Sequence, residues 1–539
     1  MKHMKFKSLV ALGLTLFTSF SSPQLLAESS HSLPLQKYLK KPQLVVVVVI
    51  DQFRADYLTR FEKRFLKHQG GTQGGFNFLM NDSAYYPYGE YDVAQSMTCP
   101  GHAMILTGSH PHSTGIPLNE WYDRKTDKMV YCTDDLTLGE PSPNYLKTTT
   151  VGDELKNSGR KSKNFSVALK DRSAIMLGGH RADLAIWMDY KTFTWRSSKY
   201  YTETLPTWLK EHNKELEKNA GHEMVWKSTA PTTGLSENAE GPFEKKFIAL
   251  SKQGLALNYG IQVTLDVAAA AMKKEKLGKT PGSPDMLTIS LSSHDMLGHG
   301  FGPNSRELEE LTVYEDRALA KFFSQVKEHM GSYQDVVFVL TADHGIPPTV
   351  DYLKKNKIDG GKIDYLEVYK TVYRGLDDKF GAPKKGEWFK ASRLLNFYLN
   401  DEIIREKKLT SAEVQEEIKK ILASNKSIAY IVTQSDIEHG KLPPGEWGEA
   451  VKRQNIPTKS GDIFLFPRPF YVEKDDNLIT HMSGYSYDKT VPIIIKGAMV
   501  KSGVYASKGK VIDIAPTLSF ILGIIPPATN EGRVLSEIF

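Results

Sequence analysis

The chain has 539 residues, a formal net charge of +6 at pH 7 and two cysteines. The weak positive charge argues against nucleic acid as a partner, and one cysteine pair is too small a disulfide framework for this length. Because the length exceeds one simple core, we expect a main domain with large insertions or a second lobe.

The first 27 residues have the pattern of a secretory signal peptide. Three lysines precede an apolar run from about Leu9 to Phe20, and a small-residue cleavage pattern ends at Ala27. Cleavage there would leave 512 residues with a net charge of +3. The run is short for a membrane span, so we expect a periplasmic or secreted protein without stable membrane insertion, with an uncleaved anchor as the alternative.

Export also bears on the two cysteines, Cys99 and Cys132. An oxidising compartment would permit a disulfide between them, but two reduced, buried cysteines remain the alternative. The sequence does not determine the oligomeric state, and a monomer is compatible with it.

Apolar runs predict the strands of a central sheet. The run from Leu44 to Ile50 has no alternation, which is typical of a strand buried on both faces of a parallel sheet. Three later runs have the same layout: DMLTISL before Asp295, DVVFVLT before Asp343, and TVPIIIK from Thr490. We therefore predict an α/β fold with a mostly parallel central sheet that helices cover on both faces.

Between the second and third runs, apolar residues recur with a helical period from Leu308 to Val326, and Glu315 interrupts the stripe. This pattern predicts an amphipathic helix in a βαβ unit, and DIAPTLSFILGI predicts a last covering helix. Residues from about 190 to 280 and from about 350 to 475 do not follow this alternation of apolar strands and amphipathic helices. We predict that they are insertions in one domain of residues 28–539.

Aspartate and histidine residues collect where the predicted strands end. Asp51, Asp295, Asp343 and His344 follow apolar runs, and His299 lies four residues after Asp295, on the same face of a helical turn. Any one of them alone is more simply a solvated charge or a cap. Together they lie at the sheet edge where α/β folds bind ligands, and an Asp and His set without cysteine indicates a catalytic metal.

Some of the ligand choices stay open. His294 is a rival ligand, although on an extended segment it would point away from Asp295. On a regular strand, the adjacent Asp343 and His344 would face opposite sides, so they could serve two metals, or one metal after a turn at Gly345. A further candidate, His481, lies in a polar segment and would be unremarkable alone.

Thr98 stands before Cys-Pro-Gly in QSMTCPGHAMILTG. One interpretation makes it the N-cap of a helix that begins near Pro100. The other makes it a nucleophile that the helix dipole assists, and the two interpretations are compatible.

Five motifs together resemble the alkaline phosphatase superfamily: IDQFRADYL, QSMTCPGHAMILTG, LSSHDMLGHGFGP, TADHG and THMSGYSYDKTVPIIIKG. The resemblance covers nearly the whole mature chain and implies a catalytic α/β domain with two zinc ions beside a hydroxyl nucleophile. It also implies that Thr98 forms a phosphothreonine intermediate, which is then hydrolysed. By this resemblance, Asp295, His299 and His481 would hold one zinc ion, and Asp51, Asp343, His344 and the Thr98 oxygen the other.

The branch of the superfamily depends on a few residues. The C-x-P-x-R motif of sulfatases is missing, since Pro100 directly follows Cys99. Thr98 with Asn119 resembles both the nucleotide pyrophosphatase/phosphodiesterases and the phosphate-irrepressible (PafA-type) alkaline phosphatases. Only the latter have a Lys-x-Arg pair, which Lys170 and Arg172 match.

On an extended segment Lys170 and Arg172 would point to the same side, with Asp171 facing the other way. Two cations suit the two negative charges of a phosphate monoester. We therefore expect a secreted, zinc-dependent phosphoric monoester hydrolase that acts on small phosphate esters with broad specificity. Asn119, Lys170 and Arg172 would hold the phosphate oxygens.

Two alternatives to this function remain. A phosphodiesterase or nucleotide pyrophosphatase would use the same metals. A non-catalytic secreted binding protein would have lost ligands, whereas all seven candidate ligands are present in this sequence.

Overall fold

The computed structural model describes residues 41–229, 242–393 and 395–539. The predicted signal peptide lies outside the described residues and stays a prediction. Within the described ranges, no helix is both long and apolar enough to span a bilayer.

A central sheet of nine strands organises the described part of the chain. The strands are β1 (Leu44–Ile50), β2 (Ala84–Glu90), β3 (Asn164–Ala168), β4 (Leu184–Asp189), β5 (Thr194–Arg196), β6 (Asp285–Leu291), β7 (Val336–Thr341), β8 (Thr490–Lys496) and β9 (Gly503–Val504). Their order across the sheet is β9-β2-β8-β7-β1-β6-β3-β4-β5.

The apolar run of β1 lies inside the sheet, paired in parallel with β6 and β7. All seven of its side chains are buried, as a strand covered on both faces requires. β8 runs antiparallel to both β7 and β2, and β5 runs antiparallel to β4. The prediction of a mostly parallel α/β sheet is confirmed, and the two reversed strands lie outside its parallel centre.

Helices pack on the sheet in two groups. In the first, α3 (Asn258–Lys274) packs against α5 (Arg306–Met330), and α4 (Ser293–Phe301) adjoins them. In the second, α1 (Thr98–Thr107) packs against α2 (Asp171–Gly178) and α6 (Ile514–Leu522). Among the described residues, the other α-helices of at least seven residues are Val151–Asn157, Thr207–Glu217, Tyr365–Phe380, Ser411–Leu422 and Glu446–Gln454.

The amphipathic pattern of α5 corresponds to the observed helix. The Ser305 side chain accepts a hydrogen bond from the Leu308 N–H at its start, and Gly331 at its end has a left-handed φ of 86°. The apolar stripe is buried, and so is Glu315 within it. The prediction of this helix and of the last covering helix, α6, is confirmed.

The segments predicted as insertions contain smaller units. The first holds the hairpin of Glu223–Lys227 and Glu244–Ile248, although its last part, α3, packs on β6 of the central sheet. The second holds a four-stranded sheet of Phe389–Arg393, Asn396–Leu399, Ile463–Pro467 and Ile428–Thr433. The boundaries of these insertions stay a prediction.

Candidate active site

The three parallel strands at the centre of the sheet bring three carboxylates to one edge. Asp51 directly follows β1, Asp343 lies two residues after β7, and Asp295 lies in the first turn of α4, which begins just after β6. Because Ile50 pairs with Leu291 across β1 and β6, these strands end side by side. This edge is the usual ligand-binding position of a parallel sheet.

Six of the predicted metal ligands form two groups. Group A is Asp51, Asp343 and His344, and group B is Asp295, His299 and His481; within each group, one ligand atom per residue lies within 4.8 Å of the others. The imidazole rings of His344 and His481 stack with centroids 3.6 Å apart, so the groups are neighbours. In group B, His299 Nε2 lies 3.2 Å from Asp295 Oδ1, as their spacing on a helix predicts.

The three histidines share one arrangement of hydrogen bonds. In each, Nδ1 lies near a backbone carbonyl, which can only accept, so Nδ1 carries the proton. In the neutral ring, Nε2 then carries a lone pair that faces carboxylate oxygens. A cation bound between Nε2 and these oxygens would remove the repulsion between their lone pairs. The pairs are His299 with the Ile479 carbonyl (2.9 Å), His344 with that of Gly345 (3.1 Å), and His481 with that of Ser96 (2.8 Å).

The carboxylates also fit metal ions. Asp51 and Asp343 are fully buried, and Oδ1 of Asp51 has no hydrogen-bond donor among the described residues. Burial, together with the charges of Asp295 and Asp343, raises the pKa of Asp51 well above its ordinary value. Buried, crowded carboxylates with imidazole neighbours and no sulfur suit a divalent metal such as zinc in each group.

His294, the rival ligand, lies elsewhere. Its Nε2 is 3.3 Å from the hydroxyl of Thr312, and its ring packs against Phe53 and Tyr57. Burial lowers the pKa of His294 to about 3, so the side chain is a neutral part of the core.

Thr98 is the first residue of α1, and Met97 holds the cap position. The interpretation of Thr98 as an N-cap of a helix starting near Pro100 was therefore wrong. Its buried hydroxyl lies 3.5 Å from His344 Nε2, at the positive end of the helix dipole. Gly101 permits α1 to pack closely against Asp343, the residue before His344, because a Cβ at position 101 would lie 2.5 Å from the Asp343 carbonyl oxygen.

Lys170 and Arg172 lie at a junction between a strand and a helix. α2 begins at Asp171, so the prediction of an extended segment through both cations was wrong. Lys170 Nζ lies 2.6 Å from Asp51 Oδ2 and 2.5 Å from Asp295 Oδ2, and it thus contacts both groups. Burial would lower the pKa of Lys170, but the Asp295 and Asp51 carboxylates outweigh it and raise the pKa.

Arg172 is held by a tyrosine. Its Nη1 donates to the Tyr131 hydroxyl (2.9 Å), which donates to Asp171 Oδ1 (3.1 Å). The Nε of Arg172 is buried and has no acceptor among the described residues. Asp171, expected to face away, is thus part of the support for Arg172, and the guanidinium keeps a donor for an anion.

Asn119 lies beside the nucleophile candidate. Its Oδ1 accepts a hydrogen bond of 2.8 Å from the N–H of Cys99, the residue after Thr98. The amide nitrogen of Asn119 is the group left to donate.

Cys99 and Cys132 form a disulfide, which decides between the two alternatives that the sequence left open. The disulfide joins the first turn of α1 to the residue after Tyr131.

Three residues at this site have no signal in the sequence spacing: Gln52, His102 and Tyr131. His102 Nδ1 lies 2.8 Å from the Thr98 carbonyl and 3.1 Å from Asp343 Oδ2, and so connects α1 to group A. Polar residues in these positions are common in loops and helices, so only the tertiary contacts identify them.

The comparisons with known proteins show the family of this chain. The family model of type I phosphodiesterase / nucleotide pyrophosphatase matches residues 45–485, and the chain belongs to this family. Murine ectonucleotide pyrophosphatase/phosphodiesterase 5, at 12% identity and a TM-score of 0.51, shares the fold.

Within that class, the chain is similar to PafA-type enzymes. It is 31% identical over 532 residues to alkaline phosphatase PafA of Elizabethkingia meningoseptica, covering 92% of this chain and 94% of that protein. The crystal structure of PafA has a TM-score of 0.83 at 29% identity, covering 92% of this chain and 99% of PafA.

Two further relatives match almost end to end. Alkaline phosphatase PhoV of Synechococcus elongatus is 31% identical over 570 residues, covering 99% of this chain and 100% of PhoV. A Myroides odoratus protein named calcium-transporting ATPase is 31% identical over 566 residues, covering 99% of both chains. The chain is a phosphatase of the alkaline phosphatase superfamily, as its motifs predicted.

Proposed function

We propose that the chain is a zinc-dependent alkaline phosphatase that hydrolyses phosphate monoesters of broad structure through a phosphothreonine at Thr98. One observation carries the proposal: the Thr98 hydroxyl lies at a helix N-terminus, 3.5 Å from His344 of group A, which stacks on His481 of group B. A nucleophile beside two metal-binding groups suits in-line displacement at phosphorus.

The two groups would hold the metal ions, with the Thr98 oxygen added to group A. Zinc bound there would lower the pKa of the attacking hydroxyl and neutralise charge on the attacking and leaving oxygens. The imidazoles suit this task because backbone carbonyls fix their Nδ1–H groups and orient Nε2 towards the site.

The chain's own residues then act in sequence. The Thr98 hydroxyl loses its proton to solvent, and its oxygen forms a bond to phosphorus as the bond to the leaving oxygen breaks. The leaving oxygen keeps the electron pair of that bond and takes a proton from solvent, so that an alcohol is released. Water next attacks the phosphothreonine, which releases inorganic phosphate and restores the hydroxyl. The dipole of α1 favours the negative charge on the threonine oxygen in both steps.

The preference for monoesters rests on three donors. Arg172 has a buried Nε without an acceptor among the described residues, Lys170 supplies an ammonium, and Asn119 an amide. A monoester leaves more charged oxygens for such donors than a diester does. In a solved PafA variant, a threonine is replaced by serine, and an asparagine, a lysine and an arginine by alanine, the residue types found here at Thr98, Asn119, Lys170 and Arg172.

A diesterase or nucleotide pyrophosphatase is the second candidate, because the matching family model has that description. Rates on nitrophenyl phosphate and on its methyl diester separate the two functions. We expect the monoester to have the higher kcat/KM, and a reversed ratio would favour the second candidate.

The nucleophile is tested by Thr98→Ala, with zinc measured on the same sample. Turnover should fall by several orders of magnitude while the zinc content stays at the wild-type value. Thr107→Ala is a matched control, since it removes a hydroxyl from the last residue of the same helix. Near-normal turnover of zinc-replete Thr98→Ala would refute the assignment of Thr98 as the nucleophile.

Export to the periplasm or the medium is a part of the proposal that rests on the predicted signal peptide. N-terminal sequencing of the protein from cell fractions tests it. We expect the processed chain to begin at Glu28 and to be found outside the cytoplasm, whereas an unprocessed cytoplasmic chain would contradict export.

A further inference from the structure

Gln52, the residue after Asp51, has an unfavourable backbone conformation. Its φ is 67°, in the left-handed region that favours glycine, and its side chain is fully buried. The amide oxygen, Oε1, is also buried without a donor among the described residues. Both features cost free energy, and backbone strain of this kind concentrates at functional sites.

The contacts of Gln52 connect the two metal-binding groups. Its backbone N–H donates to Asp343 Oδ1 of group A at 3.0 Å. Its side-chain Nε2 donates to Asp295 Oδ1 of group B at 2.6 Å. The orientation of the amide is fixed by chemistry, since an ionised carboxylate can only accept. The same Asp295 oxygen faces Nε2 of His299 at 3.2 Å.

Gly298 provides the space for this amide. A Cβ at position 298 would lie 1.9 Å from Gln52 Oε1. Alanine would otherwise be the better residue inside α4. The helix that carries Asp295 and His299 therefore has a glycine where the Gln52 side chain passes.

We propose that Gln52 is a positioning residue that orients the Asp295 carboxylate for metal binding in group B. The inference rests on the proposed two-metal function. Groups that hydrogen-bond to metal ligands fix their geometry, and their loss lowers metal affinity. The left-handed strain at Gln52 persists because glycine, which would relieve it, has no side-chain amide to donate to Asp295.

Gln52→Gly tests the side chain separately from the backbone. The variant keeps the N–H to Asp343 and relieves the strain, which offsets part of the lost hydrogen bond to Asp295, so the metal-free protein should still unfold in one cooperative transition. In competition with a chromophoric chelator, one of the two zinc equivalents should bind about 10- to 100-fold more weakly, and the other should be unchanged. Lys357→Gly is the matched control, an exposed residue with a φ of 56° far along the chain.

Gly298→Ala provides a second, independent test. In the wild-type background its Cβ would displace the Gln52 amide, so zinc affinity should fall as in Gln52→Gly. In the Gln52→Gly background the same substitution should have no further effect on zinc affinity. Together with a loss of zinc affinity in Gln52→Gly alone, this dependence would assign the effect of Gly298→Ala to the Gln52 amide.

The outcomes separate this inference from the proposed function. If wild-type protein binds two zinc ions and Gln52→Gly binds both with wild-type affinity, the positioning role is overturned and the proposed function stands. Equal weakening of both zinc equivalents would also overturn the assignment to group B. If the wild-type protein binds no zinc at all, the proposed function itself fails.

Discussion

The ammonium of Lys170 lies 2.6 Å from Asp51 and 2.5 Å from Asp295, and so links the two metal-binding groups. In the absence of divalent ions, the Lys170 ammonium offsets the negative charge of the buried Asp51 and Asp295 carboxylates. An unpaired buried charge is strongly destabilising. Lys170→Met should therefore lower the melting temperature of chelator-treated protein far more than that of zinc-loaded protein.

Differential scanning calorimetry with and without zinc measures this difference. Lys156→Met is the control, since Lys156 pairs with Asp183 at 2.8 Å near the surface, far from the metal-binding groups. Its effect should be small and independent of zinc. Equal destabilisation of both forms of Lys170→Met would contradict the compensating role.

The support of Arg172 by Tyr131 leads to a second prediction. Tyr131→Phe removes the 2.9 Å hydrogen bond and leaves the guanidinium less fixed. We expect kcat/KM for nitrophenyl phosphate to fall roughly 3- to 10-fold, as for the loss of one hydrogen bond of about 1 kcal/mol. Arg172→Ala should cause a larger loss, and more on the monoester than on its methyl diester.

A double-mutant cycle separates positioning from packing. Once Arg172 is alanine, Tyr131→Phe should have no further effect on kcat/KM, because Tyr131 would act on the substrate through its hydrogen bond to Arg172. Additive losses would mean that Tyr131 acts by another route.

Much of the fold could be predicted from local pattern. The bounds of β1 follow from seven apolar residues in a row, and α5 from its helical period. The direction of β8 could not be predicted, because the apolar pattern of TVPIIIK is compatible with both a parallel and an antiparallel strand. Only pairing with β7 and β2 makes it antiparallel.

The candidate site was predicted unevenly for a similar reason. Asp295 and His299 share a helical turn, so their spacing was informative. His481 joined them only through the resemblance, and Lys170 was misjudged because α2 begins one residue after it. Gln52 gave no signal, since its role depends on Gly298, which lies far away in the sequence.

The disulfide between Cys99 and Cys132 leads to a third prediction. It closes a loop with a sequence separation of 33 and anchors the residue after Thr98. Replacing both cysteines by alanine should lower the free energy of unfolding by about 2–4 kcal/mol. Urea unfolding of the variant and the oxidised wild type measures the change.

Thiol counting provides the control for this disulfide. The oxidised wild-type protein, unfolded without reductant, should have no free thiol, and two after reduction. Two free thiols before reduction would show that the pair does not form in the isolated protein.

Buried Glu315 leads to the last prediction. Burial raises the pKa of Glu315 well above its ordinary value, and neither carboxylate oxygen has a hydrogen-bond partner among the described residues. The folded protein therefore keeps a proton that the unfolded chain releases above about pH 4.5. Because the folded state binds more protons in this window, stability decreases as pH rises towards the folded pKa.

Glu315→Gln imitates the protonated side chain and has no proton to lose. Above about pH 4.5, its free energy of unfolding should exceed that of the wild type by an amount that grows by about 1.4 kcal/mol per pH unit until the folded pKa is reached. Urea unfolding from pH 5 to 9 measures this difference, in which the titration of shared groups cancels. Glu328→Gln, on the exposed side of the same helix, is the matched control for loss of a carboxylate. A constant difference between Glu315→Gln and the wild type would mean that Glu315 is ionised in the folded protein.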